Sequence, residues 1–254
     1  MVFWNGQRVL LIVAHPDDES IGAGILLQRS TDVQVVFCSS GAPNRFSIWR
    51  RFGTPWHYAR IRECEARTAL KMIHHETFTF LRFQDGKLYR FLPEIYRRVA
   101  NVLNSWKPDL ILTHAFEGGH EDHDVCSFLG HCLARHSGLP VWEMPLYHLD
   151  PATGALVYQT FPNELAQAKF LTPTSRELEM KQKMFDAYRS QHAVLNRFDV
   201  SREVFRPQIQ YDYFRPAIPV MPRIAVSGLP AERLVIAFQS FLLEGAGGHK
   251  IQRL

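Results

Sequence analysis

The chain has 254 residues, of which 46% are hydrophobic and 21% charged, a balance that excludes a disordered polymer and suffices to bury a core without disulfide staples. The formal net charge of +4 demands neither nucleic acid nor an anionic membrane as partner, yet would not repel an acidic small molecule. Cys38, Cys64, Cys126 and Cys132 form no C-x-x-C pair, which excludes zinc-ribbon and thioredoxin-type motifs.

The first apolar run, Val9 to Val13, is β-prone throughout and reads as a strand buried on both faces. It is too short to cross a bilayer, and no secretory leader is expected before it. A reduced, cytoplasmic protein without integral membrane association is therefore expected. A helical stretch follows over about Ile21 to Arg29, then a second strand over Val33 to Cys38. The Gly22-Ala23-Gly24 run lacks the third glycine of a dinucleotide fingerprint and is assigned to close helix–sheet packing. Residues Ala42 to His57 read as a loop dense in cations and large apolar side chains, among them Trp49, Arg50 and Phe52. Two readings of that loop stand open: a lid on the apolar or anionic part of a substrate, or a segment packed onto the C-terminal portion.

Tyr58 to Ile73 is patterned as an amphipathic helix, Thr77 to Leu81 as a third strand, and Leu92 to Trp106 as a helix with Pro93 in its first turn. Leu110 to Thr113 is a fourth strand, Asp122 to Arg135 a helix, and Val141 to Leu149 a fifth strand. Beyond Asp150 the alternation fades. Ser175 to Ser190 is helical with Thr174 or Ser175 as N-cap, residues 198–224 should be irregular or an edge strand, and Gly245 to Leu254 a loose tail. The order predicts an α/β, Rossmann-like three-layer sandwich with a mostly parallel sheet. One domain spans 1–254, with a core over about 8–150 and a C-terminal elaboration over about 151–254. Ligands of such sheets sit beyond the carboxyl ends of the strands, so chemistry should follow Val13, Ser39, Leu81 and Thr113.

Two clusters lie at those positions. Ala14-His15-Pro16-Asp17-Asp18-Glu19 follows the first strand, and Gly118-Gly119-His120-Glu121-Asp122-His123-Asp124 follows the fourth. Two histidines and a carboxylate drawn from such loops suit a metal site with a position left for water. A spare carboxylate beside it would act as a base. The plain alternative is that Asp17 or Glu19 merely caps the next helix. Basic residues are scattered rather than striped with aromatics, so nucleic-acid binding is not expected.

The AHPDDE segment with the later G-H-x-D-H resembles the PIG-L/LmbE family of zinc-dependent N-acetylglucosamine-type deacetylases. Further pieces are similar in order: Arg62-Glu63-Cys64-Glu65-Ala66, Phe80-Leu81 with Asp85-Gly86, Tyr188-Arg189-Ser190-Gln191, and Glu203-Val204-Phe205-Arg206. The resemblance implies one zinc per chain held by His15, Asp18 and His123, with Asp17 as general base toward the metal-bound water. It implies that His120 stabilises the oxyanion and is a candidate to protonate the leaving amine, and that Asp122 hydrogen-bonds His120. Arg62 and Asp85 would contact the sugar or an attached anionic group, with Trp49 and Arg50 as further substrate contacts if the lid reading holds. Some members carry a tyrosine where this chain has Gly118, so that group must be dispensed with or supplied elsewhere. The expected substrate is an N-acetylated amino sugar or glycoconjugate, and a homo-oligomer is left open. The rival readings are a zinc hydrolase of a non-sugar amide or ester, and a non-catalytic sugar- or nucleotide-binding α/β protein.

Overall fold

The computed structural model describes residues 6–162, 167–217 and 231–244. The elements in chain order are β1 (Val9–Val13), α1 (Asp18–Arg29), β2 (Val33–Ser39), α2 (Phe46–Phe52), α3 (Pro55–Met72), β3 (Phe78–Phe83), α4 (Leu92–Trp106), β4 (Leu110–His114) and α5 (Glu121–Ser137). They continue with β5 (Val141–Met144), β6 (Tyr147–Leu149), β7 (Leu156–Tyr158), β8 (Lys169–Phe170), α6 (Ser175–Ala187), α7 (His192–Leu195), β9 (Val204–Pro207) and α8 (Ala231–Glu244).

Seven strands form one sheet in the order β3-β2-β1-β4-β5-β9-β8. The first five are parallel, with Val9 opposite Val33 on one side and Leu110 on the other. β9 and β8 run antiparallel at the far side. β1 is buried along its whole length because both its faces are covered. Val9, Leu11 and Val13 face a core shared with α1, α3 and α6, while Leu10 and Ile12 face one shared with α4, α5 and α8. The alternation follows from the two-residue period of a strand and makes a three-layer α/β sandwich, as expected.

From β1 the chain winds outward through β2 to β3, then returns to place β4 on the other side of β1. The loops after β1 and β4 therefore diverge and leave a crevice at the carboxyl edge. Gly22 serves helix–sheet packing, since a Cβ there would lie 2.5 Å from the Met144 sulfur.

Four expectations are corrected. The single strand over Val141 to Leu149 is two strands, because Pro145 lacks an amide donor and ends β5. The Leu146 and Tyr147 amides donate instead to Glu117 Oε1, at 2.8 and 3.2 Å, and the chain turns into a separate β6–β7 hairpin. Within 198–224, residues 204–207 form an interior strand, paired with β5 and β8, rather than an edge. Residues 218–224 and the tail Gly245 to Leu254 lie outside the described residues. The loop over Ala42 to His57 contains α2, whose residues are all at least partly exposed, and Pro55 already opens α3. The helix starting at Ser175 stops at Ala187.

Candidate active site

β1 and β4 deliver their following residues to the same crevice. His15 and Asp18 come from the loop and first turn after β1, and His123 from the first turn of α5. One nitrogen or oxygen atom of each lies within 4.8 Å of the others. His15 Nδ1 is 3.4 Å and His123 Nε2 is 3.5 Å from the Asp18 carboxylate. Ligands about 2.1 Å from a tetrahedral ion stand roughly 3.4 Å apart, so this set fits a metal such as zinc. All three residues are buried, and the far nitrogens, His15 Nε2 and His123 Nδ1, have no hydrogen-bond partner among the described residues. With Nδ1 turned to Asp18, His15 Nε2 faces Asp122 at 3.5 Å and Asp85 at 3.6 Å, carboxylates that can orient a ligating imidazole. His15, His120 and Asp122 form a second grouping within 4.8 Å that shares His15 with the first.

Asp17 sits between the ligands in sequence and beside them in space. Its backbone lies at φ 144°, a region costly for a residue with a side chain, by about 1–3 kcal/mol. The strain is held from both sides. The Asp17 amide donates to Glu19 Oε2 at 3.0 Å, and Arg62 Nη2 meets Asp17 Oδ2 at 3.1 Å. Arg62 also donates to the carbonyls of Pro16 (2.6 Å) and Gly41 (3.1 Å). The expected substrate-binding arginine thus lines the cleft while its guanidinium fixes the loop and the Asp17 carboxylate.

The electrostatics follow from burial and neighbours. Burial raises the Asp17 carboxyl to about 7 although Arg62 opposes it. Burial also raises Asp18, but His123, His15 and His114 overcome it and hold Asp18 well below the usual range. Burial lowers His15, and Asp85 and Asp18 more than offset it. His123 is lowered by burial and by His114, which stacks on it at 4.2 Å. Asp85 is pulled down to about 2 because His15, His120 and Arg62 outweigh its burial.

The expected hydrogen bond between the Asp122 carboxylate and His120 is not formed. That carboxylate is turned to the loop after β3 and accepts from the amides of Gly86 (2.7 Å) and Leu88 (3.1 Å). The Asp122 backbone amide donates to His120 Nδ1 at 3.1 Å, as part of the N-cap of α5. His120 Nδ1 is therefore an acceptor, and Nε2 faces Asp85 Oδ1 at 3.9 Å.

The cleft over these groups has a volume of about 220 Å³ and is lined by His15, Asp17, Asp18, Arg62, Asp85, His120 and His123. Trp49 and Arg50 are not in it; Trp49 stands 45% exposed on α2. The remaining wall was not legible in the sequence. Tyr147 and Tyr158 reach in from the β6–β7 hairpin, and Gln191, Val194 and Phe198 from the segment around α7. Tyr147 is held by Glu117 through the two amides above, and by Gly119, where a Cβ would lie 1.8 Å from the Tyr147 carbonyl oxygen. The signal for both was the Glu117-Gly118-Gly119 run preceding His120.

Comparison with known proteins adds to this geometry. Residues 10–133 match the family model described as GlcNAc-PI de-N-acetylase, PIG-L. This segment resembles the PIG-L family. It contains both clusters, and is thus the part of the chain that carries the candidate metal donors. Over 132 residues the chain is 31% identical to a Bacillus subtilis (strain 168) protein named probable N-acetyl-alpha-D-glucosaminyl L-malate deacetylase 2. The match takes in 47% of this chain and 57% of that relative, so it spans little more than half of the relative's length. Among solved structures, a deacetylase of teicoplanin biosynthesis superposes with a TM-score of 0.63 at 19% identity, over 81% of this chain and 99% of that one. The N,N'-diacetylchitobiose deacetylase of Pyrococcus horikoshii gives 0.57 at 16% identity, over 81% and 85%. A 4-carboxy-2-hydroxymuconate hydratase of Pseudomonas putida gives 0.52 at 17% identity, over 81% and 99%. At these identities the likeness is one of fold.

Proposed function

We propose that the protein is a zinc-dependent hydrolase that removes an N-acetyl group from an amino sugar carried in a glycoconjugate. The observation that carries the reading is the convergence of His15, Asp18 and His123 around one position, with Asp17 beside them in the same cleft. The family-model match over residues 10–133 and a relative named as a probable glucosaminyl malate deacetylase support the amide of an amino sugar as the bond.

His15, Asp18 and His123 would hold a zinc ion, which would supply a Lewis acid and a water of lowered pKa. The protein's own groups do the rest. Asp17 is the general base: Arg62 engages Oδ2, and Oδ1 has no hydrogen bond among the described residues and is left to take a proton. His120 carries its exchangeable proton on Nε2, because Nδ1 accepts the Asp122 amide; Nε2–H faces the cleft as hydrogen-bond donor to the developing oxyanion, and the proton that Asp17 takes from water is returned to the leaving amine. Asp122 positions the loop after β3 and thereby Asp85, which orients His15 and His120. The tyrosines and Phe198 complete the wall of the cleft. We place this activity in the cytoplasm, where the free Cys38, Cys64, Cys126 and Cys132 stay reduced. No described helix is long and apolar enough to cross a membrane.

The test is mass spectrometry of N-acetylglucosaminides incubated with zinc-loaded protein, where each acetyl lost removes about 42 Da by amide hydrolysis. Asp17→Asn should keep its zinc and lose about 10²–10⁴ in rate, whereas His123→Ala should lose the metal. Wild-type turnover by Asp17→Asn, or stoichiometric tight zinc in His123→Ala, contradicts these assignments.

A further inference from the structure

A second cleft, of about 370 Å³, lies along the same edge of the sheet. Its lining interleaves with that of the first: Pro16 lines one and His15 and Asp17 the other, Gln84 lines one and Asp85 the other. Neighbouring Cα atoms are only about 3.8 Å apart, so the wall between the clefts is one loop thick. A substituent on a sugar held over the metal donors can reach across it.

The second cleft is built rather than left over. Phe37 pairs with Phe80 but Ser39 with Phe83, so β3 carries one residue more than β2 between those pairs. The extra residue is a β-bulge, a device that re-aims a side chain. Arg82 sits in it at φ 62°, a left-handed conformation that a side chain disfavours. Arg82 lines the cleft, and its Nε and Nη2 donate to the two oxygens of Glu63, each at 2.8 Å. Glu63 also binds Arg67 at 2.7 Å, so the one carboxylate in the lining is matched by two cations.

Arg60 has no carboxylate within 4 Å among the described residues. Its guanidinium lies 4.9 Å from the centroid of the Trp56 ring, and Trp56 is 67% exposed at the cleft. No acidic residue occurs between Asp32 and Glu63, while Arg45, Arg50, Arg51, Arg60 and Arg62 do. The field in this cleft therefore favours an anion. An open indole beside an uncompensated guanidinium suits a flat ring that bears a negative group: the ring stacks on Trp56 and the anion pairs with Arg60.

We infer that this cleft is the subsite for the part of the glycoconjugate beyond the acetylated sugar, and that it selects a ring carrying a carboxylate or similar anion. The inference rests on the proposed deacetylase reading. It puts specificity on Trp56 and Arg60 rather than on Trp49 and Arg50.

Product glycosides test it without turnover. Isothermal titration calorimetry of the zinc-loaded protein would compare the methyl, phenyl and 4-carboxyphenyl glycosides of glucosamine. The expected order is carboxyphenyl tightest, about tenfold tighter than methyl. Arg60→Gln should bring the carboxyphenyl-to-phenyl ratio of affinities close to one, and Trp56→Ala the phenyl-to-methyl ratio. Both side chains are exposed, and thermal melting checks that the variants fold. Equal affinity for the three glycosides, no measurable binding of the carboxyphenyl compound, or unchanged ratios in the variants overturns the subsite. Hydrolysis of methyl N-acetylglucosaminide is assayed in parallel. Hydrolysis without aglycone preference sinks the subsite alone, and aglycone preference without hydrolysis sinks the reaction alone.

Discussion

Gly119 is where the geometry makes its most quantitative demand. An alanine Cβ there would stand 1.8 Å from the Tyr147 carbonyl oxygen and 2.8 Å from its carbon. A comfortable carbon–oxygen approach is about 3.3 Å, so one backbone must retreat by about 1.5 Å. If β6 retreats, the Leu146 and Tyr147 amides leave Glu117, a carboxylate with no exposed surface. If the loop before α5 retreats, His120 and His123 move with it. Overpacking costs about 1–3 kcal/mol, and stripping a buried acceptor a similar amount. Gly119→Ala should therefore lose about 2–5 kcal/mol, which for a chain of this size lowers Tm by roughly 5–15 °C. Displacing catalytic groups by 1 Å can cost about 10²-fold, and kcat/KM should fall by that order at saturating zinc. The control is Gly138→Ala, at the C-cap of α5. There φ is 75° and no atom lies within 4 Å of the added Cβ, so it should cost about 1 kcal/mol by backbone strain and spare activity. Calorimetry and initial rates on both variants decide it. A Gly119→Ala protein that melts within about a degree of wild type, with unaltered kcat/KM, would refute the claim that this contact fixes the cleft.

Lys181 and Glu203 form a fully buried pair at 2.6 Å. Lys181→Met should lose about 3–5 kcal/mol by stranding the carboxylate, and adding Glu203→Gln should recover part of it in urea titrations; a neutral single variant contradicts the pairing. Glu177, bonded first to Arg29 and also to Thr174, has its carboxyl lowered from 4.5 to about 2. Its contribution is therefore full above pH 4.5 and lost as pH falls toward 2, and Glu177→Gln should flatten the stability curve in that window. Arg62→Lys replaces a planar fork by a point charge. Zinc content should stay near one per chain while kcat at saturating zinc drops about tenfold or more, and equal kcat would show that the fork is dispensable.

The central strands were legible because burial on both faces leaves an unbroken apolar run, as in Val9 to Val13. The candidate site was legible because its histidines and carboxylates crowd at two strand ends. The parts that were not legible depend on distant partners. Nothing local to Asp122 says that its carboxylate will meet the amides of Gly86 and Leu88, since that depends on where the loop after β3 lands. β9 is four residues long and enters the sheet because Arg206 reaches Glu143 at 2.7 Å, 63 positions away. α2 has neither a side-chain cap nor a buried face, so its sequence resembles a loop. The density of tryptophan and arginine there points to Trp49 and Arg50, whereas the lining of the second cleft holds Trp56 and Arg60.

The motif-like pieces of the C-terminal third have a physical role that explains their distance from the chemistry. α1 begins at Asp18, inside the site, and its helical path breaks at Ala23, where φ is −143°. The break frees the amides of Ile25 and Leu26, and Glu203 accepts both, at 2.6 and 3.2 Å. Lys181 joins the same carboxylate to the Ile21 carbonyl. Tyr188 donates to Glu19, whose other oxygen takes the Asp17 amide. Ser190 is fixed on Glu65 and Gln191 on Tyr58, both of α3, the helix that supplies Arg62. The strained backbone of Asp17 is thus enforced from Tyr188 on one side and Arg62 on the other. A related fold serves a hydratase, so the sheet alone does not choose a reaction. On the proposed reading, the choice in this chain rests on a carboxylate held in a disfavoured conformation beside three candidate metal donors, and residues 181–203 keep it there.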